Sequence, residues 1–477
     1  MEIGTDKWLL FDDTLFERKQ GFATTVREAV RDPEPVLRSE MPWEQARVWW
    51  HNTVLEDDGV IRLYYCAYGE DEHARLCLAT STDGVNFERP SLGLIEYEGS
   101  AANNIVFELR PPSEYHGTVF IDPTAPEEER YKLIFDGNLL GGGNYRGIRG
   151  AWSADGIRWT VYPAANIIPW YTDTQNVAFR DERIGKYVAY VRWDEGFTVE
   201  DLTVSGQFHH RCVGRTESAE FTSFPAPDKV LDPEPAGTDM EHHRGWMDLY
   251  NPIVLHWPGT RNYVMLPSAF YHYGIANKLD VGVATSRDGI AWTLLPDTLV
   301  RLGISGTWDS ERIYLAQGMV PMGDETLLYY AGFDLDHSGH HKPYPPRFGA
   351  IGRARIRLDG FVSQDAGGDG GEIVTKPFVM PADRLLLNFD GGAGGHVMIE
   401  FLDESGRGIV DFSGRAGGPM CGNSVRRLAH LREPSRVDLG ALVGRTVRLR
   451  ITGRNCQLYS LQFIDANALE ASGMGYD

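Results

Sequence analysis

Residues 78–90 read LATSTDGVNFERP, residues 150–163 read GAWSADGIRWTVYP, and residues 282–296 read GVATSRDGIAWTLLP. All three follow the pattern small-x-Ser-x-Asp-Gly-x-x-aromatic. Weaker copies stand at 214–227 (GRTESAEFTSFPAP) and 352–363 (GRARIRLDGFVS). The aspartates at Asp83, Asp155, Asp288 and Asp359 are spaced by about 70 residues, with one interval near twice that, which the copy at Gly214 fills. A repeat of this length marks a supersecondary unit that is copied around or along an axis. Asp-Gly suits a tight turn, because glycine tolerates positive φ and the aspartate can bond nearby backbone. The repeated aspartates are therefore expected to be structural.

Each turn lies downstream of a β-rich run: VIRLYYCAY (60–68), RYKLIFDG (130–137), KYVAYVRW (186–193), NYVMLP (262–267) and TLLYYAGF (326–333). Each unit opens on a shorter apolar strand, at HNTVL (51–55), HGTVF (116–120), QNVAF (175–179), YNPIV (250–254) and AQGMV (316–320). Strand, turn, strand, loop, strand, Asp-Gly turn, strand describes one four-stranded blade. The prediction is an all-β chain: a five-bladed β-propeller domain within 1–366, followed by a C-terminal β-sandwich domain over 373–477. The glycine-rich GGDGGE (367–372) is read as the linker between them. The N-terminal KWLLFD is expected to close the ring by adding to a blade. The sandwich is expected to buttress the propeller, since it offers no evident aromatic platform.

Composition narrows the function classes. The chain has 477 residues, with 46 Lys+Arg against 67 Asp+Glu and a net charge of −21. That balance argues against nucleic acid or an anionic membrane as partner. No apolar run approaches the length of a membrane span. The start, MEIGTDKWLLFDD, lacks the features of a secretion signal, so a cytoplasmic location is expected. Five scattered cysteines without CxxC spacing suggest neither a disulfide framework nor a cysteine zinc site. Whether the chain forms a homo-oligomer is left open by the sequence.

In a propeller the innermost strands line the axis, so the residues that begin them converge however distant they are in sequence. Those entries contain Trp49, Trp50, His51 and Asn52; Tyr115 and His116; Asp173, Gln175 and Asn176; Asp248, Tyr250 and Asn251; and Asp309, Glu311, Arg312, Tyr314 and Gln317. The entries share a strand position but not a residue type, which is what a site requires and a repeat does not. Paired carboxylates can protonate a leaving oxygen and activate water or attack a sugar. Aromatic rings such as Trp49, Trp50, Trp193 and Tyr250 can stack on sugar faces, while amides, Arg192 and Arg312 can hold hydroxyls or anions. The fourteen histidines include the adjacent pairs His209-His210, His242-His243 and His340-His341. No cofactor is expected; a divalent metal held at the axis by histidines such as His51 and His116 is the minority reading.

The stretches PWEQARVWWHNTV (42–54), TDTQNVAFRD (172–181), DLYNPIV (248–254), GTWDSERIY (306–314) and LDGFVSQDAG (358–367), with KYVAYVRW, carry a resemblance. The chain resembles the propeller glycosidases of glycoside hydrolase families 32, 43 and 68, and a bacterial group similar to families 32 and 43. The resemblance implies a glycosidase acting on an oligosaccharide or glycoside, with catalytic carboxylates around the axis. In families 32 and 43 an aspartate near the first inner strand is nucleophile or base; this chain has His51-Asn52 there. Carboxylates stand instead at entries three to five. Asp173, Asp248, Asp309 and Glu311 are the catalytic candidates, with Asp248 as base or nucleophile, Glu311 as acid, and Glu44 and Glu241 in reserve. Exo-action on a chain end is the leading expectation. A phosphorylase like those of family 130, a metal-dependent glycan-cleaving enzyme and a non-catalytic glycan-binding propeller are the alternatives.

Overall fold

The computed structural model describes residues 3–109, 115–138, 146–163, 166–170, 172, 174–194, 211–233, 247–271, 277–337, 345–413, 418–431 and 437–473. The described residues are almost wholly β, with one short α-helix at Ala466–Ala471. No described helix is long and apolar enough to cross a membrane.

Three antiparallel four-stranded meanders stand as separate sheets. The first runs Arg47–Asp57, Val60–Tyr68, Ala74–Ser81, Ile105–Leu109; the second Thr118–Ile121, Tyr131–Asn138, Arg146–Ser153, Thr160–Val161; the third Val177–Asp181, Lys186–Asp194, Arg211–Ser218, Asp228–Leu231. Two further meanders share one eleven-stranded sheet, joined where Leu279 pairs in parallel with Arg312. The fourth leads with Met247–His256 and Tyr263–Tyr271, and the fifth with Arg312–Leu315, Glu325–Phe333 and Ala350–Arg357. The leading strands touch in cyclic order, first to second to third to fourth to fifth and back to the first.

The repeat motif explains how neighbouring units are tied. Ser81 Oγ accepts the Gly84 N–H (2.9 Å), and Asp83 Oδ1 accepts the N–H groups of Val85 and Asn86 (both 2.8 Å). The same turn recurs at Ser153-Asp155 and Ser286-Asp288. Each glycine has positive φ, and each offers its carbonyl to a tyrosine of the preceding unit. Tyr64 donates to Gly156 (3.0 Å), Tyr190 to Gly289 (2.7 Å), and Tyr329 of the fifth unit to Gly84 of the first (2.9 Å). At Gly156 a Cβ would stand 2.4 Å from the Tyr64 hydroxyl, so the turn needs glycine for space as well as for φ.

Two expectations about the chain ends are corrected. KWLLFD does not add to the ring: Trp8–Leu9 pairs with Cys456–Ile464 near the C-terminus. The fifth unit is completed instead by Val30–Arg31 and Leu37–Arg38, which pair with Ala350–Arg357. A separate ten-stranded sheet draws on both ends of the chain. Phe16–Gln20 and Phe22–Val26 join it, as does Val362–Ala366, and so does Gly371–Thr375, which begins inside the stretch GGDGGE (367–372) read as a linker. Its core packs Phe378, Leu385, Phe389, Phe401, Leu449 and Phe463. Asp359, read as a fifth copy of the turn, pins this junction: it accepts from Lys7 Nζ (3.0 Å), Trp257 Nε1 (2.9 Å) and Ser460 Oγ (3.0 Å).

Candidate active site

The unit entries do meet, and the amides among them hold the strands together. Gln175 Nε2 donates to the Asn52 carbonyl (2.7 Å), and the Gln175 N–H donates to Asn251 Oδ1 (3.2 Å). Asn176 donates to the His116 carbonyl from both its backbone N–H (2.9 Å) and its Nδ2 (2.8 Å). Gln317 donates from its N–H to the Asn52 carbonyl (2.9 Å) and from Nε2 to the Val254 carbonyl (2.8 Å). Asn52 spends its own amide on the Trp49 carbonyl and the Cys66 N–H. Asn251 has φ +44 at an irregularity in pairing between Tyr250 and Ile253, which turns its side chain inward. The fold thus consumes much of the amide capacity expected to serve a sugar.

Beside this belt lie two histidines. His51 is fully buried, and its ring nitrogens make no hydrogen bond of good geometry. Its ring meets His116 edge-to-face at 4.4 Å, and His116 Nδ1 bonds Asp136 Oδ2 at 2.9 Å. Burial, reinforced by the neighbouring His116, pushes the His51 imidazole well below its ordinary pKa. His51 is therefore neutral near pH 7.

Toward one end of the axis the aromatic residues of three units form a continuous wall. Trp49 stacks on Trp50 (3.8 Å between centroids), and Trp50 stacks on Tyr314 (4.8 Å). The Tyr314 hydroxyl bonds His337 Nδ1 (2.9 Å), and the Tyr250 hydroxyl bonds His337 Nε2 (3.3 Å). His337 also packs on Phe270 at 4.6 Å. Arg211 lies over the Tyr250 ring (4.2 Å), and its backbone N–H donates to Asp248 Oδ1 (3.1 Å). Strand register sets Asp248, Phe270, Leu279, Arg312 and Phe333 in one row, across four strand pairings of the fourth and fifth units. Glu311, next to that row, pairs with Lys278 at 3.0 Å. Asp248 thus lies in the row itself, and Glu311 stands one residue before the row's Arg312. A sugar face could rest on the wall's rings while carboxylates act at its edge.

No family model matches this chain, and no curated protein matches it. Solved structures are similar to it at low identity. An N-acetylgalactosamine deacetylase from F. plautii in complex with blood group B trisaccharide is 17% identical, over 70% of this chain and 95% of that one, with TM-score 0.48. A glycosyl hydrolase from Bacteroides ovatus is 16% identical, over 71% and 97%, with TM-score 0.45. A structure from the GH130 family of mannoside phosphorylases, which contains glycoside hydrolases, is 16% identical over 70% and 94%, with TM-score 0.43.

Other candidates fall elsewhere. Asp309 is buried, paired with Arg31 (2.5 Å) and accepting from Tyr330 (2.9 Å) and Thr307 (2.9 Å). These contacts hold the fifth unit to its N-terminal closing strand. Glu44 is saturated by Tyr65, Arg89 and the N–H groups of Glu40 and Met41. Trp193 packs against Gly214 and under Lys229. Arg192 is buried in the third unit, its carbonyl taking the Trp170 Nε1–H. Asp173, Glu241 and the three adjacent histidine pairs lie outside the described residues. Among the described residues no group of three His, Cys, Asp or Glu is placed to hold a metal ion.

Sequence reasoning missed His337, Phe270 and Arg211. None begins a leading strand: Phe270 lies within the second strand of its unit, His337 follows the second strand, and Arg211 opens a third. The one available signal was that these strand ends must face the same end of the axis as the entries, because antiparallel strands alternate direction.

Proposed function

We propose that this chain is a glycan-processing enzyme that cleaves a glycosidic bond, acting at one end of a five-bladed β-propeller whose blades are the five meanders. Residues 373–477 would supply most of a β-sandwich accessory domain, stitched to the propeller by the N-terminal strands and Asp359. The observation that supports the reading most directly is the aromatic wall drawn from three units, with Asp248 two residues from Tyr250; Glu311, beside Arg312, is the nearest further carboxylate in that strand row. In this reading Asp248 is base or nucleophile and Glu311 is acid, and the closed wall favours a terminal sugar over the middle of a chain.

The experiment is release of aryl alcohol from a panel of aryl pyranosides and furanosides, with and without inorganic phosphate and chelator. Hydrolysis of one glycoside without phosphate is the expected result, and Asp248→Asn should lower kcat by about 10²–10⁴-fold with the fold intact. Near wild-type turnover in both Asp248→Asn and Glu311→Gln would overturn the assignment. Dependence on phosphate would point to phosphorolysis. Silence with measurable glycan binding would point to a binding propeller.

A further inference from the structure

Arg312 is the most anomalous side chain among the described residues. It is fully buried, and Nε, Nη1 and Nη2 all lack an acceptor. Four rings surround its guanidinium: Phe333 at 4.8 Å, Trp50 at 5.2 Å, Phe348 at 5.7 Å and Trp49 at 5.9 Å. Rings attract a cation but accept no strong N–H hydrogen bond, and a guanidinium cannot escape by losing its proton. Among the other buried cations, Arg75 pairs with Asp71 and Glu108, and Lys132 with Glu129. The two carboxylates nearest Arg312 in sequence are committed elsewhere, Asp309 to Arg31 and Glu311 to Lys278. Evolving such a residue as mere packing would be costly, since an uncharged side chain fills the same space without an unmet charge.

We infer that Arg312 anchors a carboxylate carried by the sugar, so that the substrate class is an acidic glycan with a uronic acid residue. This deepens the glycosidase reading and rests on it for the cleavage step. The chemistry fits in three respects. Arg312 shares Trp50 with Tyr314, so an anion reaching it lies against the wall that would hold a sugar ring. A planar carboxylate accepts two parallel N–H bonds from one guanidinium, whereas a neutral hydroxyl offers a single uncharged acceptor. One guanidinium matches a monoanion, while a phosphate dianion calls for more positive charge than Arg312 alone supplies. Trp49 and Trp50 keep 8% and 9% of their surface exposed and form the cover over Arg312. Ligand entry must shift that stacked pair.

The test uses the whole chain and two readouts. Thermal shift and tryptophan fluorescence are titrated with glucuronate, galacturonate, the corresponding neutral hexoses and inorganic phosphate. Turnover is compared for aryl glycosides that differ only by a carboxylate at C6. A uronate should stabilise the protein and change its fluorescence where the neutral sugar does not, and the carboxylated glycoside should be preferred by about ten- to a hundred-fold. Arg312→Gln should bring that ratio to within about threefold, and Arg312→Lys, which keeps the charge but not the fork, should remove most of it. If Arg312→Gln does not fold, the Lys variant and the wild-type ratio decide. Equal response to uronate and hexose, response to phosphate alone, no response to any ligand, or a preference that survives in both variants overturns the inference. Uronate binding without cleavage of any glycoside defeats the glycosidase reading and leaves the carboxylate anchor standing. Cleavage without preference for the acid does the reverse.

Discussion

The ring of Ser-x-Asp-Gly turns and the aromatic wall use the same residue types to opposite ends. In the turns Asp83, Asp155 and Asp288 are saturated by backbone N–H groups, and Tyr64, Tyr190 and Tyr329 each donate to a glycine carbonyl of the next unit. At the wall Tyr250 and Tyr314 turn their hydroxyls to one imidazole, and Arg312 finds no acceptor at all. Residues that hold the fold have main-chain or opposite-charge partners repeated from unit to unit. Residues at the wall have partners that differ in every unit, and Arg312 beside them has no acceptor. Unmet polar capacity beside rings is costly for folding, and a ligand can meet it.

The widest separation between the two regions should come from a pair of matched substitutions. Asp248→Asn should abolish most turnover and leave the melting temperature nearly unchanged. Asp309→Asn should do the opposite, because it strands Arg31 and weakens the Tyr330 contact. A loss of about 2–3 kcal/mol in denaturant unfolding is expected for it, with kcat retained. If Asp309→Asn kills turnover in a folded protein, the division drawn between these two aspartates is wrong.

A smaller effect is expected at Asp280, in the fourth unit. Burial pushes its carboxyl up to about 6, against one hydrogen bond from Thr298 at 3.2 Å. A raised carboxyl binds its proton more tightly in the folded state than in the unfolded one. Its contribution is therefore present at acid pH and lost as pH rises through the window from 3.8 to about 6. Asp280→Asn should raise stability at pH 7–8 on the order of 1–2 kcal/mol and change nothing below about pH 4. Unfolding curves across pH check this, and a pH-independent difference would count against burial as the cause.

The smallest effect should come from Tyr329→Phe, which removes the bond that ties the fifth unit to the first. About 1 kcal/mol is expected, with no change in turnover. The equivalent change at Tyr64 should cost a similar amount. A much larger loss at Tyr329 would mean that ring closure is more cooperative than the other seams.

The repeat, the strand order within each unit and the structural role of the Asp-Gly turns were legible in the sequence. They rest on local rules: alternation, turn chemistry and glycine's access to positive φ act over a few residues. The convergence of Trp49, Trp50, Tyr250 and Tyr314 was legible too, because equivalent positions in a cyclic repeat must meet. The environment of each group was decided only by tertiary structure. Asp309 and Arg312 stand three residues apart in one entry, yet one is saturated by a strand from the N-terminus and the other is ringed by aromatics without an acceptor. The closing strands of the ring and the mixed origin of the ten-stranded sheet were hidden for the same reason. Pairing between residues more than 300 positions apart depends on which edge is left open once everything else has packed, and no local pattern encodes that.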